Sequence, residues 1–327
     1  MPAIELTIPS EEQGSRLDAA LARLIPEHSR SSLQTLIERD EVTVDGEFSK
    51  SKRTLLGGEL VTVHLPDPNQ QLLPNETPLN TLYEDGVIRV LNKPSGVVVH
   101  PNSLDETDSI VQRLLSYDPS IQDVLYDPES EVSKLRPGII HRLDKDTSGV
   151  LVTAVTKEAL QAVSQQFHNH EAKKTYLVLL SGTLLKEEDV HTGMLRKSGK
   201  ENVMGVTPAG QGRDAVSHFR PLQVMQLPDR RTITLAECKI DTGRTHQIRV
   251  HAKFLGHPVL GDVLYANKTS LSITGRLGVT RQLLHAYKLS LTHPKSDELM
   301  TFTAPLPEDM RHIMADLAPE ALKVLAL

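Results

Sequence analysis

Residues 141–150, with the sequence His-Arg-Leu-Asp-Lys-Asp-Thr-Ser-Gly-Val, hold the side chains of this chain that are best suited to chemistry. Two carboxylates, Asp144 and Asp146, lie among three basic groups and just before a glycine turn. Such a carboxylate can act as a nucleophile, a general base or a metal ligand, or it can simply cap a turn. Asp146 is the better cap, because Thr-Ser-Gly follows it directly. Asp144 is therefore the candidate for chemistry, with Arg142 expected on the same side of the loop.

Two apolar runs flank this segment and are predicted to be short buried strands. Residues 137–140 precede it and residues 150–155 follow it, and both runs are rich in β-branched side chains. This arrangement places Asp144 on a short loop held by two rigid elements, which is a common position for a catalytic group.

A second cluster of polar side chains occupies residues 241–253. A Thr-Gly pair predicts a turn near its start, and apolar residues three and four positions apart predict a helix after the turn. His246, Arg249 and Lys253 share one face of that helix by their spacing. Three potential cations on one face suit phosphate or carboxylate binding, although an ordinary solvated face has the same spacing.

The composition predicts a folded protein with a sizeable core, because 39% of its 327 residues are hydrophobic and 24% are charged. No run of eighteen apolar residues could span a membrane, and the start of the chain has no secretory pattern. A lone cysteine, Cys238, excludes an internal disulfide framework and a cysteine metal cluster. We therefore expect a cytoplasmic protein without membrane association.

The charge of the chain is unevenly distributed. The net charge is −6, yet residues 191–253 contain eleven Lys or Arg against five Asp or Glu. A basic segment in an acidic protein is compatible with a local nucleic-acid groove, and also with ordinary surface charge.

Three regions are predicted along the chain. Residues 11–66 form a small α+β module, with a first helix capped by Ser15 and a second capped by Ser31 or Ser32. Residues 67–78 are rich in proline and predict a linker.

Residues 79–327 contain strand-like runs interrupted by a few helices, the clearest of them at residues 157–168 with Thr156 as its N-cap. Strands do not alternate regularly with helices. We therefore predict an α+β domain whose mixed, mainly antiparallel sheet is flanked by helices, not a doubly wound parallel sheet.

Other reaction classes fit these residues poorly. His246 and His251 are five positions apart, which is not helical zinc spacing, and neither a Walker loop nor a dinucleotide-binding glycine motif is present. Residues 141–144 superficially match the catalytic loop of protein kinases, but the other kinase motifs are absent from this sequence. A glycosidase needs two carboxylates on either side of a sugar bond, and Asp144 and Asp146 are too close in sequence for that.

Five motifs in order resemble those of the RluA-type pseudouridine synthases, and the resemblance covers nearly the whole chain. They are Asn-Lys-Pro-Ser-Gly from residue 92, Arg-Pro-Gly-Ile-Ile-His-Arg-Leu-Asp from residue 136, Lys-Lys-Thr-Tyr from residue 173, Thr-Gly-Arg-Thr-His-Gln-Ile-Arg-Val-His from residue 242, and Gly-Asp at residues 261–262 with Leu-His-Ala at residues 284–286. The first region, residues 11–66, resembles an S4 RNA-binding domain. The pseudouridine synthase fold is thereby implied for residues 79–327.

This resemblance implies specific roles. Asp144 is implied to be the catalytic aspartate, Arg249 its partner, and Tyr176 the residue that stacks on the target uracil. Arg142 is implied to occupy the space left by the nucleotide that flips out of the RNA. The uracil is detached, rotated and rejoined through C5 without oxidation, reduction or phosphorylation, so the resemblance implies neither a cofactor nor a metal.

The predicted activity is conversion of uridine to pseudouridine in structured RNA, with large-subunit ribosomal RNA as the implied substrate and a monomer as the default state. Basic side chains expected to contact that RNA are His141, Arg244, His246, Lys253, Arg30 and Arg53. A transfer-RNA substrate and a non-catalytic RNA-binding or ribosome-assembly role are the alternatives. Whether Asp144 attacks C1′, attacks C6 or removes a proton is left open.

Overall fold

The computed structural model describes residues 3–28, 30–38, 40–64, 72–101, 106–197 and 203–320, apart from the side chains of residues 31, 32, 35 and 131. The chain divides into two compact units, with the boundary between residues 71 and 72. Each unit has its own hydrophobic core. Within the part of the chain that is described, no helix is both long and apolar enough to cross a bilayer.

The small unit consists of a four-stranded antiparallel sheet and two helices. Its elements are β1 (Ala3–Thr7), a 3₁₀ turn (Ser10–Glu12), α1 (Leu17–Leu24), α2 (Arg30–Glu38), β2 (Val42–Val44), β3 (Glu47–Phe48) and β4 (Leu60–His64). The strand order is β1-β4-β2-β3. The apolar side chains of α1 that recur on one face, such as Leu17 and Leu21, are fully buried in the core of this unit.

Three sequence-based details of the small unit differ from the structure. The unit begins before the predicted residue 11, because β1 pairs with β4 along its whole length. The N-cap position of α1 is Arg16, without a side-chain cap, instead of Ser15. The second helix already starts at Arg30, so residues 31 and 32 are helical and do not cap it.

The large unit contains the remaining elements. They are β5 (Thr81–Glu84), β6 (Ile88–Lys93), α3 (Ile110–Tyr117), a 3₁₀ helix (Pro119–Asp123), α4 (Glu131–Lys134), β7 (Ser148–Ala154), α5 (Lys157–His168), β8 (Lys173–Ser181), β9 (Glu188–Arg196), β10 (Met204–Thr207), β11 (Arg213–Gln226), β12 (Thr232–Ile240), α6 (Gln247–Phe254), α7 (Lys268–Arg276), β13 (Leu284–Thr292), β14 (Leu299–Thr303) and α8 (Glu308–Leu317).

These strands form one ten-stranded sheet in the order β10-β9-β11-β12-β8-β13-β7-β6-β5, with β14 paired to β13. Among the described strands of this sheet, every pair is antiparallel except β7 with β13. The predicted mixed, mainly antiparallel α+β fold is therefore confirmed. The helix predicted at residues 157–168 is present with the expected bounds, and the Thr156 side chain accepts a hydrogen bond from the amide of Ala159.

Two predicted segments have a different structure. Residues 137–140 form a turn instead of a strand, because Gly138 adopts a φ of 68° and Ile139 makes only an isolated bridge to Thr153. Residues 72–78 were expected to belong to a linker, but they lie against the large unit. Leu72 packs on its core, and the amide of Asn75 donates to the carbonyl of Gln112.

The only parallel contact among the described strands brings the loop of Asp144 close to β13. Gly149 lies opposite Ala286 in this register and has a φ of 113°. A Cβ atom at Gly149 would lie 2.2 Å from the carbonyl oxygen of Ala286. Only a glycine lets the two backbones approach this closely.

We predict that Gly149→Ala destabilises the large unit by at least about 2 kcal/mol, because it adds both a steric clash and a left-handed backbone strain. The measurement is chemical denaturation followed by circular dichroism. Gly275→Ala in α7 is the matched control, since its Cβ would meet no atom within 4 Å. The control should leave stability unchanged or raise it by about 0.5–1 kcal/mol. Equal stability of the two variants would contradict the role assigned to Gly149.

Candidate active site

Asp144 and Arg249 meet although 105 positions separate them in the sequence. Asp144 lies on the loop before β7, and Arg249 lies in the first turn of α6. Nη1 of Arg249 donates to Oδ2 of Asp144 over 3.0 Å, and the two side chains are 5% and 18% exposed respectively. The second carboxylate oxygen, Oδ1, accepts no hydrogen bond from the described residues. This oxygen is free to face a reacting group.

Asp262 holds the other side of the same guanidinium. Its Oδ2 accepts from Nε of Arg249 over 2.6 Å, and its Oδ1 accepts from Nη2 over 3.0 Å. Oδ1 also accepts from the amides of Leu264 and Tyr265, which fixes the orientation of the buried carboxylate. Burial alone would lower the pKa of Arg249, but Asp262 and then Asp144 raise it above the ordinary value. Arg249 is therefore permanently charged.

Asp262 belongs to the Gly-Asp pair at residues 261–262, but its sequence context predicted no role for its carboxylate. An aspartate after a glycine is also typical of an ordinary turn, so its local pattern carries no signal for an ion pair. The contact arises only because α6 packs over the turn that contains Asp262.

Buried hydrogen bonds anchor helix α6 to strands β9 and β11. His251 is fully buried, and its ring nitrogens contact Oγ of Ser217 and Oγ1 of Thr192, each at 2.9 Å. The Gln247 side chain binds the Thr242 hydroxyl and also donates to the carbonyl of Val216 and to Ser217. Because such networks are costly to break when buried, they set the rotation of the helix that presents Arg249.

The loop of Asp144 is fixed through its backbone. Nζ of Lys93, which is fully buried, donates to the carbonyls of Pro94, Val97 and Lys145 over 2.7–2.8 Å. Nη1 of Arg281 donates to the carbonyl of Asp146 over 2.9 Å. Burial lowers the pKa of Lys93 to about 7, against the opposing effect of the Asp146 and Asp144 charges. Lys93 and Arg281 thus hold the loop through its carbonyls, not through the Asp144 carboxylate.

Tyr176 lies on β8, and its side chain belongs to a hydrophobic core of the large unit. Burial raises the pKa of its phenol, and the charge of Asp144 raises it further. The phenol is therefore neutral. The predicted contact between Asp144 and Arg249 is present in the structure, whereas the stacking role of Tyr176 stays a prediction.

His246 and Tyr265 complete the surroundings of the pair. His246 was expected on the face of the helix, but it is the N-cap residue in a left-handed conformation, with a φ of 57°. Its Nε2 lies 3.9 Å from Oδ2 of Asp144, and its Nδ1 lies 2.9 Å from the Tyr265 hydroxyl. The Tyr265 ring centroid lies 5.2 Å from the Arg249 guanidinium carbon. Burial lowers the pKa of His246, so it adds little positive charge at neutral pH.

His141 differs from its predicted role as an RNA contact. Its ring stacks on Phe167 with a centroid distance of 4.5 Å, and its Nε2 accepts from the amide of Val152. Burial, followed by the charge of Lys174, lowers the pKa of His141 to about 3. The neutral ring therefore anchors the loop to β7 and α5 instead of meeting a phosphate.

The other predicted RNA contacts are partly exposed. Arg142 is exposed beside the loop, and Lys253 is exposed on α6 with Nζ 6.0 Å from the Tyr265 ring centroid. Nε of Arg244 donates to the carbonyl of Asp214. In the small unit, Arg30 pairs with the buried Asp18 over 2.9 Å, and Arg53 is half-buried. Their contacts with RNA stay predictions.

The geometry supplies a carboxylate held at one oxygen by a buried guanidinium and open at the other. Such a carboxylate can serve as a nucleophile or a base. No three His, Cys, Asp or Glu side chains among the residues that the structure describes are grouped as a metal site requires.

Several known proteins are similar to this chain in sequence or in fold. Residues 87–254 match the family model of RNA pseudouridylate synthase. The ribosomal large subunit pseudouridine synthase D of Neisseria meningitidis is 37% identical over 326 residues, which cover 97% of this chain and 83% of the relative. The enzyme of the same name from Xanthomonas campestris is also 37% identical, over 99% of this chain and 95% of the relative.

A relative from Bacillus subtilis, the uncharacterized RNA pseudouridine synthase YlyB, is 33% identical and covers 97% of this chain and 99% of its own length. Among solved structures, human RNA pseudouridylate synthase domain containing 1 shares the fold, with a TM-score of 0.55 and 24% identity over 71% of this chain and 84% of its own. The identity to the curated relatives extends over nearly the whole length of this chain. The chain therefore belongs to the RNA pseudouridylate synthase family.

Proposed function

We propose that this chain converts uridine to pseudouridine in large-subunit ribosomal RNA, with Asp144 as the catalytic residue. The observation that carries the proposal is the Asp144 carboxylate, bound at Oδ2 by the buried Arg249 and unbound at Oδ1. Several of the related proteins are named ribosomal large subunit pseudouridine synthases, which supports this substrate. Action on ribosomal RNA also supports a cytoplasmic location.

The reaction is an isomerisation that this site suits. The bond between C1′ and N1 breaks, the uracil turns, and a bond forms between C1′ and C5. The proton leaves C5, and N1 finally carries a proton, so no electron acceptor is required. Asp144 acts in its ionised form, whether it attacks the sugar, attacks the base or removes the proton. The hydrogen bond from the Arg249 guanidinium to Oδ2 fixes the direction of the open oxygen.

The proposed reaction also requires base flipping, and this step gives roles to Tyr176 and Arg142. A uridine within folded RNA must leave its stack before C1′ can reach Asp144. Tyr176 offers the ring on which the flipped uracil stacks, and stacking of this kind is worth about 1–3 kcal/mol per base. Arg142, exposed two positions before Asp144, is placed to fill the vacated space in the RNA.

We predict that Asp144→Asn abolishes pseudouridine formation but changes the dissociation constant for RNA less than about threefold, because a carboxamide keeps the shape and loses the charge. The measurements are tritium release from 5-tritiated uridine in RNA and filter binding. Asp146→Asn is the matched control on the same loop and should keep most of the activity. Full activity of Asp144→Asn would point to a different catalytic group, and an inactive wild-type protein that binds RNA would point to an assembly factor.

Arg249→Lys should lower kcat by about 10- to 150-fold, the effect of about 1.5–3 kcal/mol for a lost hydrogen bond to a charged group. A lysine can contact Asp144 or Asp262 but cannot bridge both with fixed geometry. KM should change little because Arg249 is buried. Single-turnover kinetics would measure this, with Arg276→Lys, at an exposed ion pair with Asp229, as the control. An effect confined to KM would show that Arg249 acts in binding.

The substrate is tested by mapping pseudouridine in cells that lack this chain. We expect one or more sites in large-subunit ribosomal RNA to lose the modification and to regain it with the wild-type chain but not with Asp144→Asn. Transfer RNA serves as the internal control and should keep its pseudouridines. Loss confined to transfer RNA would replace the proposed substrate while leaving the reaction intact.

A further inference from the structure

Tyr265 connects strand β10 with the Asp144 carboxylate through a single hydroxyl group. The residue is 2% exposed, and its oxygen accepts a hydrogen bond from the amide of Met204 over 2.9 Å. The same oxygen lies 2.9 Å from Nδ1 of His246. Nε2 of that ring lies 3.9 Å from Oδ2 of Asp144, the oxygen that Arg249 also binds. A chain of polar groups thus runs from the backbone of β10 to the carboxylate.

The position of the Tyr265 side chain is fixed by its surroundings. Its own amide donates to Oδ1 of the buried Asp262 over 3.1 Å. Its ring belongs to a small apolar cluster with Met194 and Val250. The His246 ring meets it edge-on, with the two ring centroids 5.6 Å apart. The direction in which the hydroxyl points is therefore a property of the fold.

The proton of the Tyr265 hydroxyl has one acceptor within the part of the chain that the structure describes. A backbone amide can only donate, so the contact with Met204 occupies a lone pair of the phenol oxygen. Burial raises the pKa of the phenol, which therefore keeps its proton at neutral pH. Nδ1 of His246 is the remaining partner, and a buried hydroxyl without a partner is costly. Satisfying this hydroxyl requires that it donates to Nδ1.

The other end of the His246 ring favours the same arrangement. Burial lowers the pKa of His246, so the ring is neutral at neutral pH and carries a proton on only one nitrogen. A proton on Nε2 faces the Asp144 carboxylate, whereas an unprotonated Nε2 would turn a lone pair toward the same negative charge. The hydroxyl near Nδ1 and the carboxylate near Nε2 thus select the same tautomer.

We propose that Tyr265 is a positioning residue that holds His246 as the Nε2–H tautomer, with this N–H directed at Asp144. The catalytic part of the inference rests on the proposed function. The Nε2–H attracts Oδ2, the oxygen that Arg249 already binds, so Oδ1 stays the open oxygen. Tyr265 and His246 exchange no proton with the substrate in this scheme. They fix the carboxylate that reacts.

The first test reads the tautomer in the protein without RNA. Long-range proton–nitrogen correlation spectra of protein with isotope-labelled histidine show which ring nitrogen carries the proton, and His246→Asn identifies the His246 signals. We expect a protonated Nε2 and an unprotonated Nδ1 at neutral pH. Tyr265→Phe should shift the Nδ1 resonance, because this acceptor loses its donor.

A wild-type ring protonated at Nδ1 or at both nitrogens would overturn the proposal, as would an Nδ1 resonance that Tyr265→Phe leaves unchanged. These spectra do not depend on any reaction. A wild-type chain that forms no pseudouridine but shows the expected tautomer would therefore refute the proposed function and not the tautomer assignment.

The second test measures the effect of the hydroxyl on the reaction, with unmodified large-subunit ribosomal RNA transcribed in vitro. Tyr265→Phe should lower the single-turnover rate by about 2- to 12-fold, the effect of one neutral hydrogen bond, and should leave KM unchanged because the residue is buried. Tyr83→Phe is the matched control, since its hydroxyl also binds one side chain, Asp85, and β5 lies at the opposite end of the sheet from β10. Equal rates for the two variants would contradict the positioning role.

A double-mutant cycle separates positioning from a purely structural effect. His246→Asn keeps a polar group near Nδ1 but has no atom at the position of Nε2. In this background Tyr265→Phe should cause no further loss of rate, since both residues act through the same N–H. His246→Gln, whose amide reaches farther, should recover part of the rate. Additive losses, or equal rates for His246→Asn and His246→Gln, would overturn the proposal.

Melting temperatures show whether each variant is folded. If Tyr265→Phe does not fold, the wild-type tautomer and the comparison of His246→Asn with His246→Gln still decide the question, because neither measurement uses that variant.

Discussion

The Arg249 guanidinium shared between Asp144 and Asp262 is the interaction on which the site depends. Burying a cation is tolerated only when its charge and its hydrogen-bonding groups are satisfied, and here three nitrogens are bound to two carboxylates. Asp262 takes two of the three and fixes the plane of the group. The remaining nitrogen points at Asp144, which keeps one oxygen open. The arrangement thus supplies a carboxylate whose direction is set by a rigid partner.

The large sheet positions the two elements that carry Asp144 and Arg249. One partner lies on a loop that enters β7, and the other lies on a helix that follows β12. Strands β8 and β13 lie between β12 and β7 in the sheet, so neither partner can move without disturbing several ladders of hydrogen bonds. Lys93 and Arg281 bind loop carbonyls, and His251 and Gln247 anchor α6 to β9 and β11. Rigid support of this kind keeps the catalytic geometry in place, so the side chains do not lose conformational entropy in each turnover.

An acidic protein that handles RNA must concentrate its positive charge. The net charge of −6 would disfavour a polyanion at long range, but screening limits that effect to about 10 Å at 0.1 M salt. Within that distance the pairing state of each arginine matters more than the total. Arg89, Arg113 and Arg281 are each paired with a carboxylate, whereas neither Arg136 nor Arg142 forms an ion pair with a residue that the structure describes.

The sequence by itself determined the features that depend on local patterns. The β-branched run after the turn at residue 149 predicts the strand that became β7, and the spacing of apolar residues with Thr156 predicts α5. The resemblance carried by the order of five motifs predicted Asp144, Arg249 and Tyr176 as one group, and the structure joins the first two. These predictions agree with the structure where they depend on a short stretch of residues, because secondary-structure propensity and hydrophobic periodicity act locally.

Only the tertiary structure decided the rest. The turn at residues 137–140 replaced a strand because Gly138 bonds to Val124 and Ala154, which no local pattern reveals. His141 faces inward because Phe167 lies beneath it, and His246 leaves the helix face because its backbone is left-handed. Asp262 became the partner of Arg249 through packing of distant elements. Contacts of this kind join residues that sequence spacing cannot relate, because their distance is set by the folded sheet and not by the chain.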